Sequence, residues 1–347
     1  MADLTPIQEI VARKQTKKAY IFTHDNPDPD ALASACAFQL LLKTGFGVSS
    51  RIVYGGLILR DENVEMVRLL KIRLSLVDRI KIKKNALFIL VDTQPHSGNN
   101  SFPGTIFPDI VIDHHPEFKK SKAHVADIRE DVGACSTIIC DYLSALNIDV
   151  PAAVATALFY GISSETQQLG REVSPLDKKY YLELFPKVSQ RILSKIEHPK
   201  RSRAFFTFLG QAIENSRVHK NIIVSHIDQV PYPDLIAQFC DFLLSLEKVS
   251  WAFCYGLYQD RIIFSIRTLN RKAHAGVLAA RMVKHIGKAG GHGMIAGGWI
   301  RLLQNDVRAS EEELLKRFLH AYGVHGDVSF TPLSSAATPA DTQEPKE

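Results

Sequence analysis

Two short runs, ALFILVD at 86–92 and DIVID at 109–113, constrain the fold of this chain more than any other feature. Both are nearly continuous in apolar residues, without the alternation of a strand that has one wet face, and both stop at an acidic residue. Strands of that kind are covered on both faces, as in parallel sheets. Around them, β-rich runs alternate with helical patterns: KAYIFTH then ALASACAFQLLLKTG, SRIVYGG then ENVEMVRLLKI, and IFPDIVIDHH then CSTIICDYLSAL. This rhythm predicts an α/β domain with a mostly parallel sheet flanked by helices. Loops leaving the carboxyl ends of such strands collect at one edge, where ligands bind. The polar clusters HDNPDPD, VDTQ, DHH and SSET fall at or just past strand or helix ends, so they would converge there.

A chain of 347 residues has room for two domains with separate cores. The first is expected over 1–190. Residues 191–220 are helical in pattern and basic, and form a connector. A smaller α/β domain follows over 221–327: NIIVSHID as a strand, LIAQFCDFLLSLEKV as a helix, and WAFCYGLYQDRIIFSIRT as a hairpin turning at Gln259 and Asp260. The helix HAGVLAARMVKHIG, the glycine cluster GGHGMIAGG and the helix SEEELLKRFLHAYG complete it. Residues 328–347, rich in Pro, Ser, Thr and Ala, predict a disordered tail.

The net charge of +5 is spread along the chain, which argues against a surface dedicated to coating DNA and leaves a small anionic substrate compatible. None of the five cysteines forms a CxxC spacing, so they read as reduced core residues of a cytoplasmic protein. The N-terminal stretch lacks the apolar run of a signal peptide, and no run reaches the length of a membrane span. No membrane partner is expected.

In HDNPDPD an imidazole and two carboxylates, His24, Asp28 and Asp30, fall within one short segment after a strand. Pro27 and Pro29 restrict it, so an extended segment with Asp28 and Asp30 sharing a direction is expected. Such ligands suit Mn²⁺ or Mg²⁺. The competing reading is a capped turn, with Asp30 as the helix N-cap. Asp113, His114 and His115 follow a buried strand, where three ionisable groups without partners would be costly. A metal and a phosphate would compensate them. Asp92 ends another such strand; alone it would read as a cap, but with His24, Asp28, Asp30 and His114 it supplies enough ligands for two cations about 3.5 to 4 Å apart. GGHGMIAGG lets backbone amides approach an anion, with His292 as a donor. Arg267 in FSIRT could clamp a phosphate.

In this order, HDNPDPDA, VDT, DHHP, GISSET, FSIRT and GGHGMIAGG resemble the DHH phosphoesterase family with a DHHA1 C-terminal domain, over about residues 17–320. Within it the chain looks most like the short-chain oligoribonuclease and phosphoadenosine-phosphatase type, also labelled nanoRNase or exopolyphosphatase-related. The resemblance implies a DHH domain and a DHHA1 domain across a cleft. It implies one Mn²⁺ on His24, Asp28 and Asp92, a second on Asp30, Asp92 and His114, and His115 on the scissile phosphate. Arg267, Gly290, Gly291, His292, Gly297 and Gly298 would grip the far end of a short RNA or DNA oligonucleotide or a nucleotide bisphosphate. Members usually carry Asp in the fourth motif, where this chain has Glu165. The extra methylene moves that carboxylate by more than the ~0.2 Å tolerance of a metal–ligand distance, so a working site of altered geometry is expected. Arg171 reads equally as added positive charge for the substrate and as a surface residue. Catalysis would fall to Asp92 and His115.

Competing readings are an exopolyphosphatase, a family II inorganic pyrophosphatase, a cyclic-dinucleotide phosphodiesterase, or a nucleotide-binding regulator with a degenerate metal site. The glycine cluster argues against the pyrophosphatase, whose second domain is of another type. Both a monomer and a homodimer are compatible with the sequence.

Overall fold

The structure is a computed structural model and describes residues 2–117, 122–326 and 328–334, with His292 placed by its backbone only. Its contacts divide the chain into two units, Met1–Lys200 and Arg201–Glu347.

The first unit runs α1 (Thr5–Lys14), β1 (Lys18–Phe22), α2 (Pro29–Phe46), β2 (Ser49–Tyr54), α3 (Asp61–Leu70), β3 (Leu74–Leu76), β4 (Leu87–Val91), β5 (Ile110–Asp113) and β6 (Val125–Ile128). Four helices follow: α4 (Cys135–Ala145), α5 (Ala152–Glu165), α6 (Pro175–Leu184) and α7 (Gln190–Glu197). The six strands pair in parallel throughout, in the order β3-β2-β1-β4-β5-β6. The apolar runs behave as their composition requires. Leu87, Ile89 and Val91 of β4 enter the core under α2, α4 and α5, while Phe88 and Leu90 face the other way. That second face is closed by Val77, Ile80, Ile82, Phe102 and Ile106 from connecting segments.

Strand order reverses at β1 and β4: the chain leaves β1 for β2 on one side, and β4 leads to β5 on the other. Loops after β1 and β4 therefore part and leave a crevice at their carboxyl ends. The helix α2 is apolar nearly all round and buried, with Ala33, Ala35 and Ala37 among its buried residues. Gly161 of α5 meets it closely; a Cβ there would lie 3.0 Å from Ala33 Cβ and 3.3 Å from Asp30 Oδ1.

The second unit comprises α8 (Arg203–Glu214), β7 (Arg217–His219), β8 (Ile222–Gln229), α9 (Asp234–Leu243), β9 (Trp251–Tyr258), β10 (Arg261–Thr268), α10 (Ala275–Met282), β11 (Gly287–His292), β12 (Ile295–Arg301), α11 (Val307–Tyr322) and β13 (Thr331–Pro332). The seven strands order as β11-β12-β10-β9-β8-β7-β13. Only β8 and β9, joined through α9, are parallel. One face packs on α10 and α11 through Ala279, Met282, Leu314 and Phe318; the other packs on α8 and α9 through Ala212, Leu235 and Phe239.

Two expectations change here. The glycine cluster GGHGMIAGG, read as letting backbone amides approach an anion, is a β-hairpin in which Gly290 pairs with Gly297 and Gly291 with Ala296. Gly291 has φ +145°, and a Cβ there would collide with the backbone of Ile295 and Ala296, so this glycine serves close strand approach. The tail expected to be disordered from 328 begins with ordered chain: β13 adds to the edge strand β7, and Phe330 lies under the Arg217 guanidinium, 5.6 Å from ring centre to Cζ. Residues 335–347 of that expectation lie outside the described residues. The line between the units falls within the segment read as a connector, 191–220, which holds most of α7, then α8 and β7. No helix among the described residues is long and apolar enough to cross a membrane.

Candidate metal centre

His24 follows β1, Asp92 follows β4, and Asp113, His114 and His115 close β5, so three adjacent strands deliver these side chains to the crevice. Asp92 is buried, and its φ of +60° turns the chain sharply while its amide still pairs with Ile112 O of β5 at 2.9 Å. Aspartate is among the few non-glycine residues that tolerate this region. The turn leaves its two oxygens facing different histidines. Oδ2 is 3.6 Å from His24 Nε2, and Oδ1 is 3.6 Å from His114 Nε2 and 3.8 Å from His115 Nδ1.

The segment HDNPDPD is not extended throughout, contrary to the expectation that Asp28 and Asp30 share a direction. Asp28 is the N-cap of α2, accepting from Ala31 N at 3.0 Å, and Pro29 takes the first helical position, which suits its fixed φ. Asp30 is then helical and points elsewhere: it accepts from Cys135 N at 2.7 Å and Ser136 N at 2.8 Å, holding the start of α4. The cap expected of Asp30 on its own helix is made by Asp28. Asp28 Oδ1 also lies 3.6 Å from His24 Nε2, and Asp30 Oδ2 lies 3.9 Å from His114 Nε2.

Two groupings result, His24 with Asp28 and Asp92, and Asp92 with His114 and His115, each with donor atoms within 4.8 Å of one another. Asp92 Oδ1 is buried and has no hydrogen-bond partner among the described residues. An unpaired buried carboxylate oxygen is costly, and this one stands between imidazoles, the setting of a bridging metal ligand. The donor set is oxygen and imidazole without thiolate, which fits Mn²⁺ or Mg²⁺.

Electrostatics agree with a cation-seeking site. Burial, and then the charges of Asp30, Asp28, Asp113 and Glu165, push Asp92 well above the usual carboxylate range. Burial also raises Asp30, against the opposing pull of His114. Burial alone would lower His24, but the hydrogen bond and charge of Asp28 outweigh it and raise its pKa to about 9. Burial and the neighbouring His115 lower His114, which favours the neutral ligand form.

Glu165 ends α5, and burial followed by the charges of Asp28 and Asp30 raises its pKa to about 8. Its charge in turn acts on His24, Asp92 and His115. Arg171 is a buried partner of Glu165 rather than a surface residue: Nη2 donates to Glu165 O at 3.1 Å and lies 3.8 Å from Oε1.

Two positioning contacts escaped the sequence reading. Asp113 Oδ1 accepts from His115 Nδ1 at 2.9 Å and from His114 N at 2.8 Å. Gln94 Nε2 donates to Asp113 Oδ2 at 2.8 Å and to the carbonyls of His115 and Pro116 at 3.3 and 3.2 Å. The only signal for Gln94 was its place two residues beyond the strand-terminal Asp92.

In the second unit, Arg267 ends β10, an interior strand, and is held by Asp241 Oδ1 at 2.5 Å and Ser265 Oγ at 2.7 Å. It lines a cavity of about 490 Å³ together with Gly297, Gly298 and Trp299. Gly290 and Gly291 are on β11 across the hairpin, as is the backbone of His292.

A wholly parallel sheet with carboxylates and imidazoles at its switch point defines an α/β metal-site domain. Residues 18–162 match the DHH family, N-terminal domain. An uncharacterized protein of Methanocaldococcus jannaschii is 37% identical over 293 residues, 83% of this chain and 59% of that protein. A protein of Streptococcus equi subsp. zooepidemicus named probable manganese-dependent inorganic pyrophosphatase is 31% identical over 161 residues, 43% of this chain and 48% of that protein. The alignments thus span about half to three-fifths of the length of these curated relatives. Among solved structures, an exopolyphosphatase-related protein from Bacteroides fragilis superposes with a TM-score of 0.72 at 16% identity, covering 92% of this chain and 98% of that one. At that identity the likeness is one of fold, and it extends over both units.

Proposed function

We propose that the chain is a metal-dependent phosphoesterase acting on short oligoribonucleotides, on phosphoadenosine phosphate, or on both. The observation that carries this reading is Asp92, buried between His24 and His114 with Oδ1 unpartnered. His24, Asp28 and Asp92 would hold one divalent cation, and Asp30, Asp92, His114 and Glu165 a second, with Mn²⁺ first and Mg²⁺ next. Bound there, the ions would supply Lewis-acid polarisation of a phosphoryl group and neutralise its charge.

The chain's own residues do the rest. Asp113 is ionised, its pKa lowered by His115 against the effect of burial, so His115 Nδ1 is the donor between them. The Nε2 edge of the ring is then the one that meets a phosphoryl oxygen. Arg267, held rigid by Asp241 and Ser265, offers a fixed guanidinium beside the Gly297–Gly298 backbone for a phosphate group. The hairpin glycines Gly290 and Gly291 and the neighbouring His292 belong to the same proposed binding surface.

A substrate panel with Mn²⁺ tests this: a dinucleotide, phosphoadenosine phosphate, pyrophosphate, polyphosphate and a long single strand. Turnover of the dinucleotide or phosphoadenosine phosphate, with little of the long strand, is expected. The streptococcal relative's name favours one second reading, an inorganic pyrophosphatase, and turnover of pyrophosphate alone would establish it. Fewer than two ions bound and no turnover would point to a nucleotide-binding regulator.

A further inference from the structure

On the first unit a groove of about 1100 Å³ lies beside α2, β2 and the edge strand β3, and none of the residues lining it belongs to the carboxylate–histidine cluster. Its charge is of one sign. Lys43 of α2, Arg51 of β2, Arg73 before β3 and Arg79 after it line the groove and are exposed, and no carboxylate lines it. None of these four cations has an ion pair among the described residues.

The groove also contains a polar group that the fold does not satisfy. Ser50 lines it, and Ser50 Oγ is buried without a hydrogen-bond partner, although the Ser50 carbonyl is taken by Gln39 Nε2 at 2.8 Å. Buried hydroxyls are ordinarily paired, so an orphan on a residue that lines this basic groove marks a place for an acceptor-rich ligand. Leu74, Leu76, Ile80 and Val154 add an apolar wall. The volume is just above the usual range of small-molecule sites, and an apolar wall with a few polar groups is typical of them.

We propose that this groove is a binding site for a nucleoside polyphosphate, with the phosphate chain on the arginines and Ser50 and the base against the apolar wall. Adjacent phosphates carry several acceptor oxygens and match guanidinium donors in bidentate fashion, which accounts for the preponderance of arginine over lysine. The site is separate from the phosphoesterase reading and does not need the metal ligands.

The test uses the full chain with divalent ions chelated by EDTA, titrated calorimetrically with ATP, inorganic tripolyphosphate and adenosine. Saturable ATP binding is expected, weaker for tripolyphosphate, undetectable for adenosine, and weakened by added salt. The double variant Arg73→Ser/Arg79→Ser should lose at least about tenfold in affinity, and Ser50→Ala should weaken binding by about threefold or more. Lys248→Ala, which removes an exposed cation of the other unit, should bind ATP as the unaltered chain does. The two arginines are exposed, so circular dichroism should show an unchanged fold; the single exchange Arg73→Glu, with the same expected loss, replaces the double variant if it does not. Absence of ATP binding, or binding unchanged in the arginine variants, would overturn the proposal. Because EDTA removes turnover from the measurement, these outcomes are independent of the substrate panel.

Discussion

Asp113 fixes the ring of His115: one carboxylate oxygen takes His115 Nδ1 at 2.9 Å and, on its other side, the backbone N–H of His114 at 2.8 Å. The strand end and the imidazole are thereby set by one group. Asp113→Ala is expected to lower kcat by about 10–100-fold, the usual cost of removing a carboxylate that orients a functional histidine. Metal content measured alongside should stay at two ions per chain. Unchanged kcat would remove His115 from the reaction.

Asp92→Asn should separate stability from activity. A carboxyl whose folded pKa lies above its unfolded value costs stability at every pH above the unfolded value, and the cost grows until the folded pKa is reached. Asp92 is in that position, raised by burial and four neighbouring carboxylates. The metal-free variant should therefore melt higher than the metal-free parent at pH 7, by about 2–4 °C for each ~1 kcal/mol relieved. The parent should gain stability on adding Mn²⁺ and the variant little or none. Equal Mn²⁺-induced shifts in a thermal melt would exclude a bridging role.

Proton release should accompany metal binding. His24, at about 9, and Glu165, at about 8, are protonated at pH 7 in the metal-free chain and must lose their protons to ligate. Mn²⁺ affinity should rise by at least about tenfold per unit between pH 6 and 8 and flatten above about pH 9. Calorimetry in buffers of different ionisation enthalpy would count the protons. An affinity independent of pH would mean that neither group is displaced by the ion.

Gly161 is the point where α5 touches Asp30. A Cβ would stand 3.3 Å from Asp30 Oδ1 and 3.0 Å from Ala33 Cβ, both tight. Gly161→Val should destabilise the first unit by about 1–3 kcal/mol through overpacking and weaken Mn²⁺ binding by displacing Asp30. Denaturant unfolding and metal titration on the same preparation check both.

The buried strands were readable because burial on both faces leaves a compositional mark, and ALFILVD and DIVID carry it. Their terminal acids could be placed at the ligand-binding edge for the same reason. Which way each acid turns could not be read. Asp28 and Asp30 do not share a direction, because Pro29 takes the first helical position and leaves Asp28 as the cap. The contacts of Asp30 with Cys135 and Ser136, and of Gln94 with Asp113, join distant parts of the chain, and no local pattern records them. The hairpin of β11 and β12 was hidden because glycine is a poor strand former; cross-strand closeness explains Gly291 and Gly298, and the positive φ of the turn explains Gly293.

Asp30 anchors two backbone amides of α4 whether or not an ion is near. Loss of the proposed catalysis would leave the structural demand for an acceptor there in place. Aspartate at this position in another sequence is therefore a sign of architecture, and the diagnostic pair for a living active site is His24 with Asp92, whose arrangement the fold alone does not reward.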